Sequence, residues 1–226
     1  MAGLEILLCS DVPTQIVIGN LLRMAGMTAM TDRGPTLVFV VSLSMIDTVV
    51  LIALMTTLTR ARGQSPAALW LGTRSPLREA GLGLLLVPVI FLLVALLMNA
   101  LVRLLPALHN VPANPIEGLA TGGPHDAIAL GVVAIVAGGI REELQRAFLL
   151  QRFEQYFGGA TVGLIVLSVA FGLGHYYQGW DAVVTTGVLG AIWAAVYLRR
   201  RSSVAPIVSH AGFNSLEVLR VALVGP

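Results

Sequence analysis

Polar and ionisable side chains interrupt three otherwise apolar segments in the C-terminal half of the chain. They are Glu142, Glu143 and Arg146 in the first segment, His175 in the second, and His210 and Asn214 in the third. An ionisable group inside a bilayer costs several kcal/mol unless it is paired or faces water. Three such segments together therefore predict a polar cavity inside a membrane protein.

The spacing of these residues brings several of them onto common helix faces. Glu142 and Arg146 are four residues apart and Glu143 and Arg146 are three apart, so either carboxylate can pair with the arginine. His210 and Asn214 are also four residues apart, one turn along one face. Three helices can therefore present convergent polar faces to a single cavity.

The chemistry that such a set supports is hydrolysis. A carboxylate can act as a general base on water, a neutral histidine can orient that water, and an asparagine with a second histidine can donate to an oxyanion. A zinc ion held by Glu142, His175 and His210 is possible. We expect no metal, because the chain has no His-Glu-x-x-His motif and asparagine is a poor zinc ligand.

The elements that position these residues follow from composition. Apolar residues make up 56% of the chain and charged residues 12%, about half the roughly 25% usual in soluble domains, and mean hydropathy is +0.85. The sequence therefore predicts an all-α, polytopic transmembrane helix bundle of about six to seven spans, at about 20 residues each. A net charge of +2 is too small to indicate a nucleic-acid partner.

The apolar runs divide the chain into two regions. Residues 1–124 form an N-terminal membrane region with spans near 36–58 and 80–102, and residues 1–34 either lie in the interface or span weakly. Residues 125–226 form the second region, which carries the three polar segments and is therefore expected to be the catalytic core. Its helices are predicted near 126–155, 161–178, 182–198 and 204–224.

Arginines are unevenly distributed among the predicted loops. The loop 59–80 holds four arginines and the last loop holds Arg199, Arg200 and Arg201, whereas the alternate loops hold only Arg103. Short loops rich in arginine are cytoplasmic in membrane proteins. The absence of lysine and the abundance of arginine, alanine and glycine indicate a GC-rich bacterial genome, which favours a multi-pass protein of the bacterial inner (cytoplasmic) membrane.

At the polar residues the sequence resembles the CPBP family, which groups CAAX prenyl endopeptidases with bacteriocin-processing and self-immunity membrane proteins, also called Abi proteins. That family shows a glutamate pair followed by arginine, then Phe-x-x-x-His, then His-x-x-x-Asn or His-x-x-x-Asp. The resemblance covers roughly residues 125–225. The matching segments are Glu142-Glu143-Leu144-Gln145-Arg146, Phe171-Gly172-Leu173-Gly174-His175 and His210-Ala211-Gly212-Phe213-Asn214.

The first motif departs from the family pattern, which usually places three residues between the glutamate pair and the arginine, where this chain has two. One alignment keeps the glutamate pair in register. The other keeps Arg146 in register and puts Arg141 at the position of the first glutamate, which would leave the protein inactive. The resemblance makes the first glutamate the base, and Glu142 is favoured because it reaches Arg146 at a full turn; Glu143 is its competitor.

The resemblance also implies the remaining roles and the partners. His175 would position the water or polarise the substrate carbonyl, His210 and Asn214 would stabilise the oxyanion, and Arg146 and Phe171 would support them. The implied protein is an intramembrane endopeptidase in the lipid bilayer that cleaves membrane-associated peptides or proteins. The alternatives are a catalytically inactive adaptor or immunity protein and, less favoured because repeated halves are lacking, a small proton-coupled transporter.

Two further charged groups fall inside the predicted spans. Asp47 interrupts the span near residues 36–58, and we interpret it as structural or cavity-lining. Glu217 and Arg220 are three residues apart in the last span and are predicted to form an ion pair.

Overall fold

The computed structural model describes residues 1–32, 34–112 and 114–225. About four-fifths of these residues are helical, and the only strands among them, Met30–Thr31 and Gly34–Pro35, pair as a minimal antiparallel hairpin. The all-α fold is confirmed. The α-helices are α1 (Ala2–Leu8), α2 (Val12–Met24), α3 (Leu37–Ala61), α4 (Pro66–Trp70), α5 (Pro76–Leu104), α6 (Pro124–Val133), α7 (Glu142–Tyr156), α8 (Ala160–Leu173), α9 (Trp180–Arg200) and α10 (Val204–Val224).

The described residues contain five helical segments that are long and apolar enough to cross a membrane: α1 with α2, α3, α5, α9 and α10. A π-helix, Ala134–Arg141, joins α6 to α7, so residues 124–156 form one continuous but charged helix. The apolar helix α8 is shorter, with 14 residues. With these two segments the described residues contain seven long helical segments, five of which meet the length and hydropathy of a membrane span. The chain is an integral membrane protein.

The N-terminal segment is attached to the helix that carries the glutamate pair. Arg152 on α7 is fully buried and donates to Glu5 of α1 over 2.6 Å, and Arg62 donates to the same carboxylate over 2.8 Å. Gln145 on α7 donates to the carbonyl of Cys9 over 2.7 Å. Residues 1–34, ambiguous in the sequence, therefore begin with a helical segment that packs on the core rather than a detached interfacial helix.

The helix predicted over residues 161–178 is wrong at its C-terminal end, because α8 stops at Leu173. The backbone amide of His175 donates to the carbonyl of Gly172, and the His175 ring bonds to the carbonyl of Phe171. These bonds satisfy the last helical carbonyls and tighten the chain, which continues as a 3₁₀ turn, Tyr176–Gln178.

A close approach between the π-helix and α10 sets the position of the polar residues. A Cβ atom on Gly139 would lie 2.6 Å from the Cβ of Ala211, and one on Gly138 would lie 2.6 Å from the amide nitrogen of Asn214. At Gly139 the neighbouring atoms include the backbone of α10, so only glycine fits there, whereas a methyl group at position 138 would have to displace the side chain of Asn214. Small residues are common where membrane helices make contact. The contact brings the start of α7 alongside His210.

An apolar cluster fills the half of the bundle that adjoins the arginine-rich connections. It is formed by buried residues from the C-terminal parts of α3 and α9 and the middle of α7, together with α4 and Cys9. We call it the arginine-side core, and its members are Cys9, Leu51, Met55, Leu69, Trp70, Ala147, Phe148, Leu149, Leu150, Ala194 and Tyr197.

The glycine contact generates a prediction about stability. Gly139→Ala should destabilise the protein by about 1–3 kcal/mol, because the new methyl group forces the π-helix away from α10. Gly131→Ala is the matched control, since its Cβ would meet nothing within 4 Å. That variant should be neutral or up to about 1 kcal/mol more stable, since alanine favours helix. Thermal unfolding of the purified proteins in detergent measures both, and equal behaviour would contradict the close packing.

Candidate active site

Four of the predicted site residues line one cavity of about 640 Å³ inside the bundle. Glu142 comes from the first turn of α7, His175 from the end of α8, and His210 and Asn214 from the first half of α10. Because α8 is only about 21 Å long, shorter than the about 30 Å hydrocarbon core, His175 lies at the depth of the cavity rather than at the far membrane surface.

The two glutamates occupy different environments. The Glu142 side chain is 19% exposed and lines the cavity, whereas the Glu143 side chain is 1% exposed and does not. Of the two pairs that the spacing allows, the structure forms the one between Glu143 and Arg146, and Glu142 accepts from Arg141 over 3.2 Å. Both spacings were compatible with a helical pair, and only the facing of each carboxylate in the bundle separates them.

His210 connects the two glutamates. Its Nδ1 lies 2.8 Å from Oε1 of Glu143, and its Nε2 lies 3.9 Å from Oε2 of Glu142. Trp193 stacks on the ring at a centroid distance of 3.7 Å and an angle of 16°, and its indole N–H donates to Ser209 over 3.0 Å. The ring is therefore fixed in its plane, with Nδ1 bound to a carboxylate and Nε2 directed towards Glu142.

His175 is held by its own chain. Its Nδ1 lies 2.8 Å from the carbonyl oxygen of Phe171. A carbonyl only accepts hydrogen bonds, so Nδ1 carries a proton, and in the neutral ring Nε2 is left as an acceptor. The side chain lines the cavity, which makes this nitrogen available to a water molecule.

Phe171 contacts most of the other side chains of the site. Its ring packs edge-on against His175 and His210 at 4.8 Å and 6.0 Å between centroids, and the guanidinium of Arg146 lies 4.6 Å above it. It also lies against Gly190 of α9, where a Cβ would come within 3.0 Å of the ring. Phe171 thus forms an apolar wall that separates Arg146 from the cavity.

Arg141 organises a second polar cluster next to Glu142. The guanidinium donates to Asp47 on α3, to Asp11 over 3.0 Å and to Glu142 over 3.2 Å. The arginine is 5% exposed and Asp47 is fully buried. Three carboxylates therefore share one cation, and the N-terminal helices reach the site through it. Of the two interpretations of Asp47, the structure shows the structural one, because its carboxylate forms a buried ion pair with Arg141 and does not line the cavity.

The sequence did not single out Trp193, which packs on His210. The available signal was its place in the middle of α9, since tryptophan in membrane helices usually lies at the interfaces. Asn114 and Gln178, which bond to each other over 3.2 Å and line the cavity, were also missed. No periodicity marks them, because both lie outside the long helices.

The pair between Glu217 and Arg220 is confirmed, with Nε of the arginine 3.0 Å from Oε2 of the glutamate. Arg220 also donates to Glu117 over 3.1 Å, and all three side chains line the same cavity. Their side chains are 26–38% exposed, so this ion network borders the cavity where it approaches the surface.

The possible zinc ligands Glu142, His175 and His210 all line the cavity. Within the described ranges, however, no group of three or more histidine, cysteine, aspartate or glutamate side chains is arranged to hold a metal ion. The Nδ1 atoms of both histidines are bonded to protein oxygens, so Nε2 is the ring nitrogen that each could offer to water or to a metal. The site thus places a carboxylate, two imidazoles and an amide along the wall of one cavity.

The fold and the site together define a class: a membrane-embedded helical protein with a carboxylate and histidine centre inside the bundle. A family model described as type II CAAX prenyl endopeptidase Rce1-like matches residues 124–216, which contain all three polar segments. Residues 124–216 are thus similar to type II CAAX prenyl endopeptidases, in agreement with the resemblance to the CPBP family at the polar residues. No curated protein and no solved structure matches the chain.

The Arg141 cluster generates a prediction about stability. Arg141→Met should cost about 3–5 kcal/mol, because it leaves Asp47 buried without its cation. Arg220→Met removes an arginine whose side chain is 38% exposed and should cost at most about 1 kcal/mol. Chemical unfolding in detergent measures the difference, and similar losses for the two variants would show that Arg141 does not neutralise a buried charge.

Proposed function

We propose that the protein is an intramembrane endopeptidase that hydrolyses peptide bonds of membrane-associated substrates with water activated by Glu142. The observation that carries the proposal is that Glu142, His175, His210 and Asn214, drawn from three separate helical segments, line one cavity. A hydrolase needs a base, a group that orients water and donors for the oxyanion within reach of one substrate bond, and these four side chains supply them.

The reaction begins with a water molecule between Glu142 and His175. The Glu142 carboxylate accepts a proton from the water, and Nε2 of His175 accepts a hydrogen bond that orients it. The water oxygen attacks the carbonyl carbon of the scissile bond, and the carbonyl oxygen takes the negative charge. The amide of Asn214 and a protonated His210 donate to this oxyanion. Glu142 then passes its proton to the leaving nitrogen as the C–N bond breaks.

Glu143 is assigned a different role from Glu142. Its carboxylate is buried, and it holds Nδ1 of His210 and the guanidinium of Arg146 at the same oxygen. A group with so little contact to the cavity is a poor base for a substrate water. Glu143 and Arg146 are therefore positioning residues for His210, and the exposure of Glu142 supports its assignment as the base despite the shortened motif.

The substrate class follows from the family rather than from the cavity alone. The matched family is named for endopeptidases that act on CAAX prenyl substrates, and we propose that this chain cleaves a peptide whose attachment to the bilayer brings it to the site. The composition of the chain favours the bacterial cytoplasmic membrane as its location. No metal is part of the proposed mechanism.

The proposed chemistry predicts the effect of two substitutions. Glu142→Gln and His175→Ala should each reduce cleavage at least a thousandfold, since removing a base or water-orienting group removes transition-state stabilisation worth about 4 kcal/mol. The measurement is the release of peptide from a farnesylated CAAX peptide in proteoliposomes, together with mass-spectrometric mapping of new peptide termini in membranes that contain each variant.

Glu154→Gln is the matched control, because Glu154 lies on the same helix α7 but pairs with Arg201 at the surface, away from the cavity. It should cleave as the wild type does. The proposal fails if Glu142→Gln yields the same new termini as the wild type. It also fails if the wild type yields none beyond those of Glu142→Gln, which is the result expected of an inactive adaptor or immunity protein.

A further prediction concerns metal. If Glu142 activates water without an ion, cleavage in proteoliposomes should be unchanged after incubation with 1,10-phenanthroline and removal of the chelator. Metal analysis of the purified protein should then give far less than one zinc per chain. Loss of cleavage that is restored by added zinc would contradict the metal-free mechanism and would leave the peptidase assignment intact.

A further inference from the structure

The two membrane faces of the bundle differ in charge. The contacts of Glu5 with Arg62 and Arg152 place the N-terminus, the connection after α3 and the end of α7 at one face, which we call the arginine face. The alternation of the helices adds the connections 71–75 and 201–203 to it. Its arginines are Arg60, Arg62, Arg74, Arg78, Arg152, Arg199, Arg200 and Arg201.

The opposite face carries fewer arginines and more acidic groups. Its described arginines are Arg23, Arg103 and Arg220. Asp32, Glu117, Asp126, Asp181 and Glu217 lie at the same ends of the helices. By the arginine bias of short connections, the arginine face is cytoplasmic and the opposite face is not.

The cavity extends from the middle of the bundle to the opposite face. Its deep end is lined by Glu142, Trp193 and His210, and its outer end by residues such as Asn114 and Gln178, which lie in the connections of the opposite face. Among the residues that the structure describes, none from the arginine-face connections lines it. The ion network of Glu117, Glu217 and Arg220 borders the same outer end.

Packed side chains close the bundle between the site and the arginine face. The arginine-side core lies between the glutamate pair and that face, and Phe148, Leu150 and Met55 within it are fully buried. The short helix α4 seals the surface further: the Trp70 indole donates to the carbonyl of Leu144 over 3.1 Å. A peptide or a hydrated ion therefore has no path to Glu142 from the arginine face in this conformation.

We propose that the site cavity is open to the non-cytoplasmic face of the membrane and closed to the cytoplasm, so that substrates are admitted from the non-cytoplasmic side. That the entering molecule is a peptide substrate rests on the proposed function. The accessibility itself does not. The candidate substrates are then membrane-attached peptides whose scissile bond is exposed on the non-cytoplasmic side; the farnesylated CAAX peptide of the cleavage assay is a probe that can be supplied to that side in proteoliposomes.

Cysteine accessibility tests this proposal. Cys9 is the only cysteine and is buried, so a Cys9→Ser background removes native thiols. Single cysteines are then placed by Thr186→Cys inside the cavity, Thr121→Cys at the opposite face and Thr73→Cys at the arginine face. Thr186 lines the cavity and its hydroxyl bonds to the Ala182 carbonyl of its own helix, so it has no part in the proposed chemistry.

Intact cells are treated with a charged, membrane-impermeant methanethiosulfonate reagent, and the thiols that remain are counted with a maleimide after denaturation. We expect the Thr186→Cys and Thr121→Cys variants to lose at least nine-tenths of their free thiol in intact cells. The Thr73→Cys variant should react only after permeabilisation. The same pattern is expected when Glu142→Gln is added, so the result does not depend on peptidase activity.

Two results would overturn the proposal. In the first, the Thr186→Cys thiol is protected in intact cells and reacts only after permeabilisation, as the Thr73→Cys thiol does. That result would place the opening at the cytoplasm. The other is a Thr186→Cys thiol that reacts from neither side, which would mean that no charged solute reaches the cavity. Neither result would by itself contradict cleavage that depends on Glu142.

Discussion

The structure depends on the neutralisation of charge inside an apolar bundle. The Glu143 carboxylate is buried and receives both Arg146 and His210, while Arg141 is shared by Asp47, Asp11 and Glu142. Because unpaired charges are costly in hydrocarbon, these contacts fix where α3, α7 and α10 can lie relative to one another. Removing one partner would leave an unpaired charge buried in the bundle. The interactions that arrange the site are therefore the ones that stabilise the fold.

The same ion pairs give Glu142 and Glu143, which are chemically identical side chains, different environments. One oxygen of Glu143 is occupied by two donors, His210 and Arg146, and the guanidinium of Arg146 lies over the rings of Phe171 and Trp193. Glu142 faces a cavity that can hold water. The two histidines are likewise distinguished by the partner of Nδ1, a carboxylate for His210 and a backbone carbonyl for His175. The first partner suits a ring that takes a positive charge, and the second suits a neutral acceptor.

The bundle is asymmetric across the membrane because its glycine contacts and its apolar core lie at different depths. Gly138 and Gly139 let the π-helix approach α10 near the middle of the bundle, and the arginine-side core fills the space between that contact and the arginine face. On the side of the opposite face the helices separate around the cavity, and Asn114 and Glu117 of the connection after α5 line it. The site therefore lies between an apolar core, which excludes water, and a cavity that water can enter.

The sequence by itself determined the membrane environment, the helical fold and the residue types of the site, because the cost of charge in a bilayer makes Glu142, His175 and His210 conspicuous. It did not determine which glutamate meets Arg146, since helical spacing of three and of four residues is equally permissive. Nor did it show that α8 ends before His175 or that Trp193 packs on His210, because both depend on contacts between elements far apart in the chain. The tertiary structure decided those points, since the direction in which each side chain faces is set by packing between helices and not by position along one helix.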